Sequence, residues 1–240
     1  MLSEPSEPSE PSSAEVPSSG AAASGAPFSE VPQAVLFDMD GTLVDTEGLW
    51  WQAATSVARA LGVDLGPADT PAVLGRAAED VAAHLLTAAE RPAATLPDTA
   101  RQLIDGFAAR ITEQSGGVPL IPGALDLLGE LRAEGIPTAL VSASPRSIVH
   151  LVLPFLDHRF DLIVAAEDTT RGKPYPDPYL KATDRLGVDP RRCVAIEDSP
   201  TGIAAATAAG CRVMAIDTGR GLPSLHWLMA EVIRQSRRCR

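Results

Sequence analysis

The stretch "AVLFDMDGTLVDTE", residues 34–47, decides the fold. It opens as an unbroken apolar run and closes in turn-forming residues, with Asp38 and Asp40 at the junction. An apolar run without polar alternation suits a strand buried on both faces, in a parallel sheet covered by helices. The two carboxylates follow its carboxyl end, the edge where open α/β sheets bind ligands.

Four more runs of this kind follow: "PTALVSAS", "FDLIVAAED", "RCVAIEDS" and "CRVMAID". Helical stretches separate them. "GALDLLGELRAEG" closes at Gly135, "PDPYLKATDRLG" carries proline early and Gly187 late, and "TGIAAATAAG" stops at Gly210, the proline-first, glycine-last order of helix ends. Strands alternating with helices predict a Rossmann-like, doubly wound α/β core.

Residues 47–117 break that alternation. No strand reads there; Trp50, Ala54, Val57, Ala58 and Leu61 recur at helical spacing. Helical patterns return around 76–90 and 98–114, interrupted by Pro92 and Pro97. The expected organisation is a tail over 1–32, an α/β core over 33–46 and 118–240, and an inserted all-helical cap over 47–117. The tail, with its Ser-Glu-Pro triplets, holds too little apolar surface to offset the entropy of ordering it. The final segment, "GLPSLHWLMAEVIRQSRRCR", reads as one helix, apolar at Leu225, Leu228, Met229 and Val232, with arginines at the end that the helix dipole favours.

Net charge is −11, which excludes the basic face of a nucleic-acid binder. The first thirty residues hold five glutamates and no lysine or arginine; without them, 26 acids face 20 bases, a net of −6. Three cysteines without metal spacing predict reduced thiols in the cytoplasm. No basic, then apolar, leader opens the sequence. No apolar run reaches the roughly 20 residues that span a bilayer, so no membrane partner is expected. Oligomeric state is not readable.

The strand ends define a site. The first ends in Asp38-Met39-Asp40-Gly41-Thr42, the second in Ser142, the fourth in Glu197-Asp198, and Lys173 follows the third. A parallel sheet brings these groups to one edge. Neighbouring carboxylates repel unless a cation joins them, and hard oxygen donors favour Mg²⁺. A phosphate group would complete such a site. Asp38 suits the nucleophile, as an ionised carboxylate able to form an acyl phosphate. Asp40, two residues on, can protonate the leaving oxygen and then take a proton from water. Lys173 is one of two lysines against eighteen arginines, and its place between glycine and proline marks it as functional.

"DMDGTLVDTE", "SAS", "GKPYPDPY" and "IEDSPTG" resemble the four motifs of the haloacid dehalogenase superfamily, in that family's order, across about residues 35–217. The helical insertion resembles the cap of its subfamily IA, which includes phosphoglycolate phosphatase, sugar-phosphate phosphatases and β-phosphoglucomutase. The resemblance implies Mg²⁺-dependent hydrolysis of a small-molecule phosphate ester through an aspartyl phosphate. It implies Asp38 as nucleophile, Asp40 as acid and base, and Ser142, Lys173 and Thr42 as phosphate binders. It also implies a metal site built from Asp38, Asp40 (through its backbone carbonyl), Asp198 and Glu197, with Glu197 either a direct ligand or one step removed. Dehalogenases lack the second aspartate. The mutases carry a histidine where Trp50 stands here. A mutase and a non-catalytic binding protein on the same fold are the alternatives; a receiver domain would lack the insertion.

Other residues carry double readings. Arg76 could read substrate or be an exposed helix charge; Trp50 could line the pocket or pack the cap. Asp45 and Asp177 read as helix caps. The four histidines form no cluster.

Overall fold

The computed structural model describes residues 31–114 and 117–238; the expected tail lies outside them except at its end. Five strands, β1 (Ala34–Phe37), β2 (Thr138–Val141), β3 (Leu162–Val164), β4 (Cys193–Glu197) and β5 (Arg212–Ala215), form one sheet in the order β3-β2-β1-β4-β5. Every pairing is parallel. Helices α1 (Glu47–Ala60), α2 (Thr70–Val73), α3 (Ala78–Ala88) and α4 (Leu96–Glu113) stand between β1 and β2. Then α5 (Ala124–Ala133) precedes β2, α6 (Arg146–Val152) precedes β3, α7 (Asp177–Leu186) precedes β4, α8 (Pro200–Ala208) precedes β5, and α9 (Leu225–Arg238) follows. No described helix is long and apolar enough to cross a membrane.

β1, β2 and β4 are buried along their whole length, which explains their lack of polar alternation. Alternate side chains still part to opposite faces. Val35 and Phe37 join a core with Leu127, Leu131, Ile148 and Leu228. Ala34 and Leu36 face Tyr179, Ala182, Ala205 and Ala206. The helices between β1 and β2 have a core of their own, around Ala54, Val57, Val81, Leu85 and Leu103. Ala53, Phe107 and Ile111 tie that unit to the sheet's core.

The chain leaves and re-enters the sheet layer side by side. Val44 forms an antiparallel bridge with Leu120, Asp45 N donates to Pro119 O at 2.8 Å, and Ile121 N donates to Leu43 O at 3.0 Å.

Several local expectations change. Pro97 does not break a helix; it sits in the first turn of α4, where a missing N–H costs nothing. Asp45 is exposed and caps nothing: Thr46 is the N-cap of α1 and makes no side-chain cap bond. Asp177 is not a cap either. Pro176 holds that position, and Asp177 accepts from Arg171 Nε and Nη2, both at 3.0 Å. The last helix begins at Leu225 and docks: Leu228 and Val232 are buried, and Leu225 N donates to Glu130 Oε2 at 2.6 Å.

Candidate active site

At β1 the strand order reverses, which opens a crevice beyond the strands' carboxyl ends. Asp38 continues β1's ladder, its N–H on Ile196 O at 3.1 Å, so its carboxylate emerges at that crevice. Lys173 Nζ donates to Asp38 Oδ1 at 2.5 Å and to Glu197 Oε1 at 2.5 Å. The lysine side chain is 4% exposed and that of Glu197 is fully buried. Glu197 is further held by Tyr179 OH at 2.5 Å and by Ser199 Oγ at 3.2 Å.

Gly41, at φ +85°, turns the chain so closely past Asp198 that a Cβ there would lie 2.2 Å from Asp198 Oδ2. Glycine alone satisfies both the dihedral and the contact. Asp40 is gripped by two hydroxyls, Thr46 Oγ1 at 2.5 Å and Ser144 Oγ at 2.8 Å. Thr42 is fully buried and gives its hydroxyl to Asp198 Oδ1 at 2.8 Å.

The electrostatics follow from burial. Desolvation pushes Asp38 well above the usual carboxylate range; Lys173 pulls it back, while Glu197, Asp198 and Asp40 add to the rise. Asp40 is also raised by burial, against the bonds from Thr46 and Ser144 and the charge of Lys173. Asp198 rises to about 6, from burial first, opposed by Thr42 and reinforced by Glu197 and Glu47. Burial alone would lower Lys173, but Asp38 and Glu197 outweigh it and keep the ammonium charged.

One ammonium cannot balance these acids. Asp38, Glu197 and Asp198 each offer a carboxylate oxygen, all within 4.8 Å of one another. Hard oxygen donors with excess negative charge fit Mg²⁺. The carboxylate of Asp40 is outside this group, so a part for Asp40 rests on its backbone carbonyl.

The cleft above has two walls. Asp38, Asp40, Ser144, Lys173 and Ser199 line it from the sheet side; Trp50, Leu74, Arg76, Ile104 and Phe107 line it from the inserted helices. Trp50 has two sets of contacts. It faces the cleft, and it braces the insertion through Nε1 on Val73 O at 2.9 Å and an edge contact with Phe107 at 5.3 Å. Arg76 is exposed and donates to Pro71 O at 3.2 Å. Among the described residues, no histidine lines this cleft.

Two of the expected phosphate binders, Ser142 and Thr42, are not in the cleft lining. Ser142 is buried, and its Oγ accepts the Ser144 N–H at 2.9 Å; Ala143 and Ser144 face the cleft. Thr42 serves Asp198 rather than the cleft. Sequence reasoning missed Thr46, Ser144, Ser199, Tyr179 and Glu47, the last a half-buried cleft carboxylate. Ser144 carried a signal, as the second serine of "SAS".

A family model described as haloacid dehalogenase-like hydrolase matches residues 32–210. Hexitol phosphatase B of Escherichia coli (strain K12) is 33% identical over 202 residues, 83% of this chain and 90% of the relative. Phosphoglycolate phosphatase of Escherichia coli O157:H7 is 30% identical over 213 residues, 77% of this chain and 81% of the relative. Among solved structures, CbbY from Rhodobacter sphaeroides in complex with phosphate aligns with TM-score 0.68 at 31% identity, covering 81% of this chain and 91% of the other. β-Phosphoglucomutase from Clostridium difficile aligns with TM-score 0.72 at 24% identity, 86% and 97% covered, and so shares the fold.

Proposed function

The chain belongs to the haloacid dehalogenase-like hydrolases and is a phosphoric monoester hydrolase; on that premise we propose that it hydrolyses small sugar or polyol phosphates through a phosphoaspartate on Asp38. One observation carries the reading. Asp38, Asp40 and Lys173 face the same cleft, so nucleophile, proton donor and phosphate-binding cation converge.

In this reading Asp38 attacks phosphorus in line with the leaving oxygen, and Lys173 gathers the charge spreading over the phosphoryl oxygens. Asp40, its pKa raised by burial, holds the proton that the departing alkoxide needs, and later takes one from the attacking water. Thr46 and Ser144 aim its carboxyl. Asp38, Asp198, Glu197 and the Asp40 carbonyl would hold Mg²⁺, which supplies charge neutralisation for the phosphoryl group. Ser142 orders the backbone that cradles the phosphate, and Thr42 fixes Asp198. The helices of residues 47–117 act as a cap that excludes water; their apolar wall, with Arg76 at its edge, suits a compact polyol. The enzyme is placed in the cytoplasm, where thiols like those of buried Cys193 and Cys211 stay reduced.

The absence of histidine from the cleft lining, with Trp50 where mutases place that residue, favours hydrolysis over mutase chemistry. The test is phosphate release from a panel of hexitol phosphates, sugar phosphates and phosphoglycolate, with Mg²⁺ and with chelator. Release from polyol or sugar esters, lost on chelation and in Asp38→Asn, is expected. No release from any member with Mg²⁺ present, or release that survives Asp38→Asn, would overturn the reading.

A further inference from the structure

The turn joining α2 to α3 lies against the core at Gly75. Gly75, at φ +66°, forms its apex, and its carbonyl accepts the hydroxyl of Thr201, 126 positions away, at 3.0 Å. The approach is close: a Cβ on Gly75 would lie 3.1 Å from Ser199 Cβ. On either side of Gly75 stand Leu74 and Arg76, both in the cleft wall. Val73, just before them, has its carbonyl on Trp50 Nε1. The turn is therefore held twice, by Trp50 within the insertion and by Thr201 across the cleft.

Thr201 does not cap its own helix. It sits in the first turn of α8, where Ser199 is the N-cap and already satisfies the Gly202 N–H at 3.0 Å. Its hydroxyl is free of capping duty and points at another unit. It lies 3.4 Å from Ser199 Oγ, and Ser199 reaches Glu197, so the latch point adjoins the carboxylate cluster without touching a reacting group.

We propose that Thr201 is a positioning residue: its hydroxyl latches the Leu74–Gly75–Arg76 turn onto the core and so places the cleft's outer wall against the leaving group. The inference rests on the phosphatase reading for its kinetic consequence but not for its structural one. One neutral hydrogen bond at a partly exposed seam is weak, and so suits a lid that must let go once per turnover. Removing it changes the closed population by a factor of about 2 to 10.

The test compares Thr201→Val, which keeps the shape and loses the donor, with Thr201→Ser, which keeps the donor. In substrate-free protein, hydrogen exchange of the peptide spanning residues 72–79 is expected to quicken about 2- to 10-fold in the valine variant and to stay near wild type in the serine variant. Unchanged exchange in the valine variant would overturn the latch, whatever the activity. In turnover, KM for a hexitol phosphate is expected to rise by a similar factor with little change in kcat. KM for acetyl phosphate, whose leaving group is too short to meet the turn, is expected to hold. An equal rise for both substrates, or a serine variant that matches valine, would overturn the positioning role. A wild type that releases phosphate from neither substrate would sink the proposed function and leave the exchange result to decide the latch alone.

Discussion

Replacing Asp198 by Asn should stabilise the metal-free protein while destroying its use for Mg²⁺. Asp198 has a folded-state pKa of about 6 against an ordinary 3.8. At about 1.4 kcal/mol per unit the gap amounts to roughly 3 kcal/mol of penalty for the ionised form. The residue keeps some contact with water, so about 1–3 kcal/mol is a fair expectation. Because this carboxyl binds its proton more tightly folded than unfolded, the penalty begins near pH 4, grows as pH rises and is complete above about 6. An asparagine avoids it, and its amide oxygen can still accept the Thr42 hydroxyl. For a chain of this size the gain corresponds to roughly 2–12 °C in Tm. The assay is thermal unfolding in chelator at pH 7.5, 6, 5 and 4. The variant should melt higher at pH 7.5, and its advantage should fade through pH 6 and vanish near pH 4. Saturating Mg²⁺ should raise the wild-type Tm by mass action and the variant's far less. A variant that melts at or below wild type in chelator at pH 7.5, or whose advantage ignores pH, would refute the reasoning.

Lys173→Met leaves Asp38 and Glu197 buried without their cation and should cost about 3–5 kcal/mol, read as a lower urea midpoint at pH 7.5; the deficit should shrink as pH falls, because burial already raises the Asp38 carboxyl. Gly202→Ala puts a methyl 1.9 Å from Glu197 Oε1, so Glu197 must move. Mg²⁺ affinity by calorimetry should fall at least about tenfold, the loss seen when a supporting contact of a metal site is removed. Leu228→Ala empties a fully buried position on α9 and should cost about 2–5 kcal/mol in urea unfolding; an unchanged midpoint would show that α9 contributes nothing to the core.

Strand ends were legible because a doubly buried parallel strand writes itself as an apolar run, and the polar residue that stops it must sit at the sheet's edge. Asp38, Asp40, Glu197 and Asp198 were read this way; Lys173 was singled out by its rarity and its place between glycine and proline. What escaped depends on convergence between distant segments. Tyr179 reads as one apolar position on a helix face, yet its hydroxyl ends on Glu197, eighteen residues on. Thr46 and Ser144 grip Asp40 from two different units, and no local spacing predicts that. Ser142 was read as the end of the second strand, but β2 ends at Val141, and Ala143 and Ser144 beyond it line the cleft. Asp45 and Asp177 were assigned by local capping preference, which Thr46 and Pro176 pre-empt. The amphipathic pattern of α9 was plain; that Glu130 would receive its first N–H was not.

The adjoining exit and return of the chain at Val44 and Leu120 has a consequence for how the chain divides its tasks. Antiparallel neighbours can be joined by a hairpin of two residues, so the sheet would close equally well over a short turn or over a large module. Whatever is spliced between these positions leaves the register of β1 unchanged, and with it the backbone placing of Asp38 and Asp40, while the Thr46 hydroxyl that holds the Asp40 carboxyl travels with the spliced segment. On the proposed function, leaving-group preference and bond-breaking chemistry then occupy largely separate segments, joined through Thr46 and Thr201.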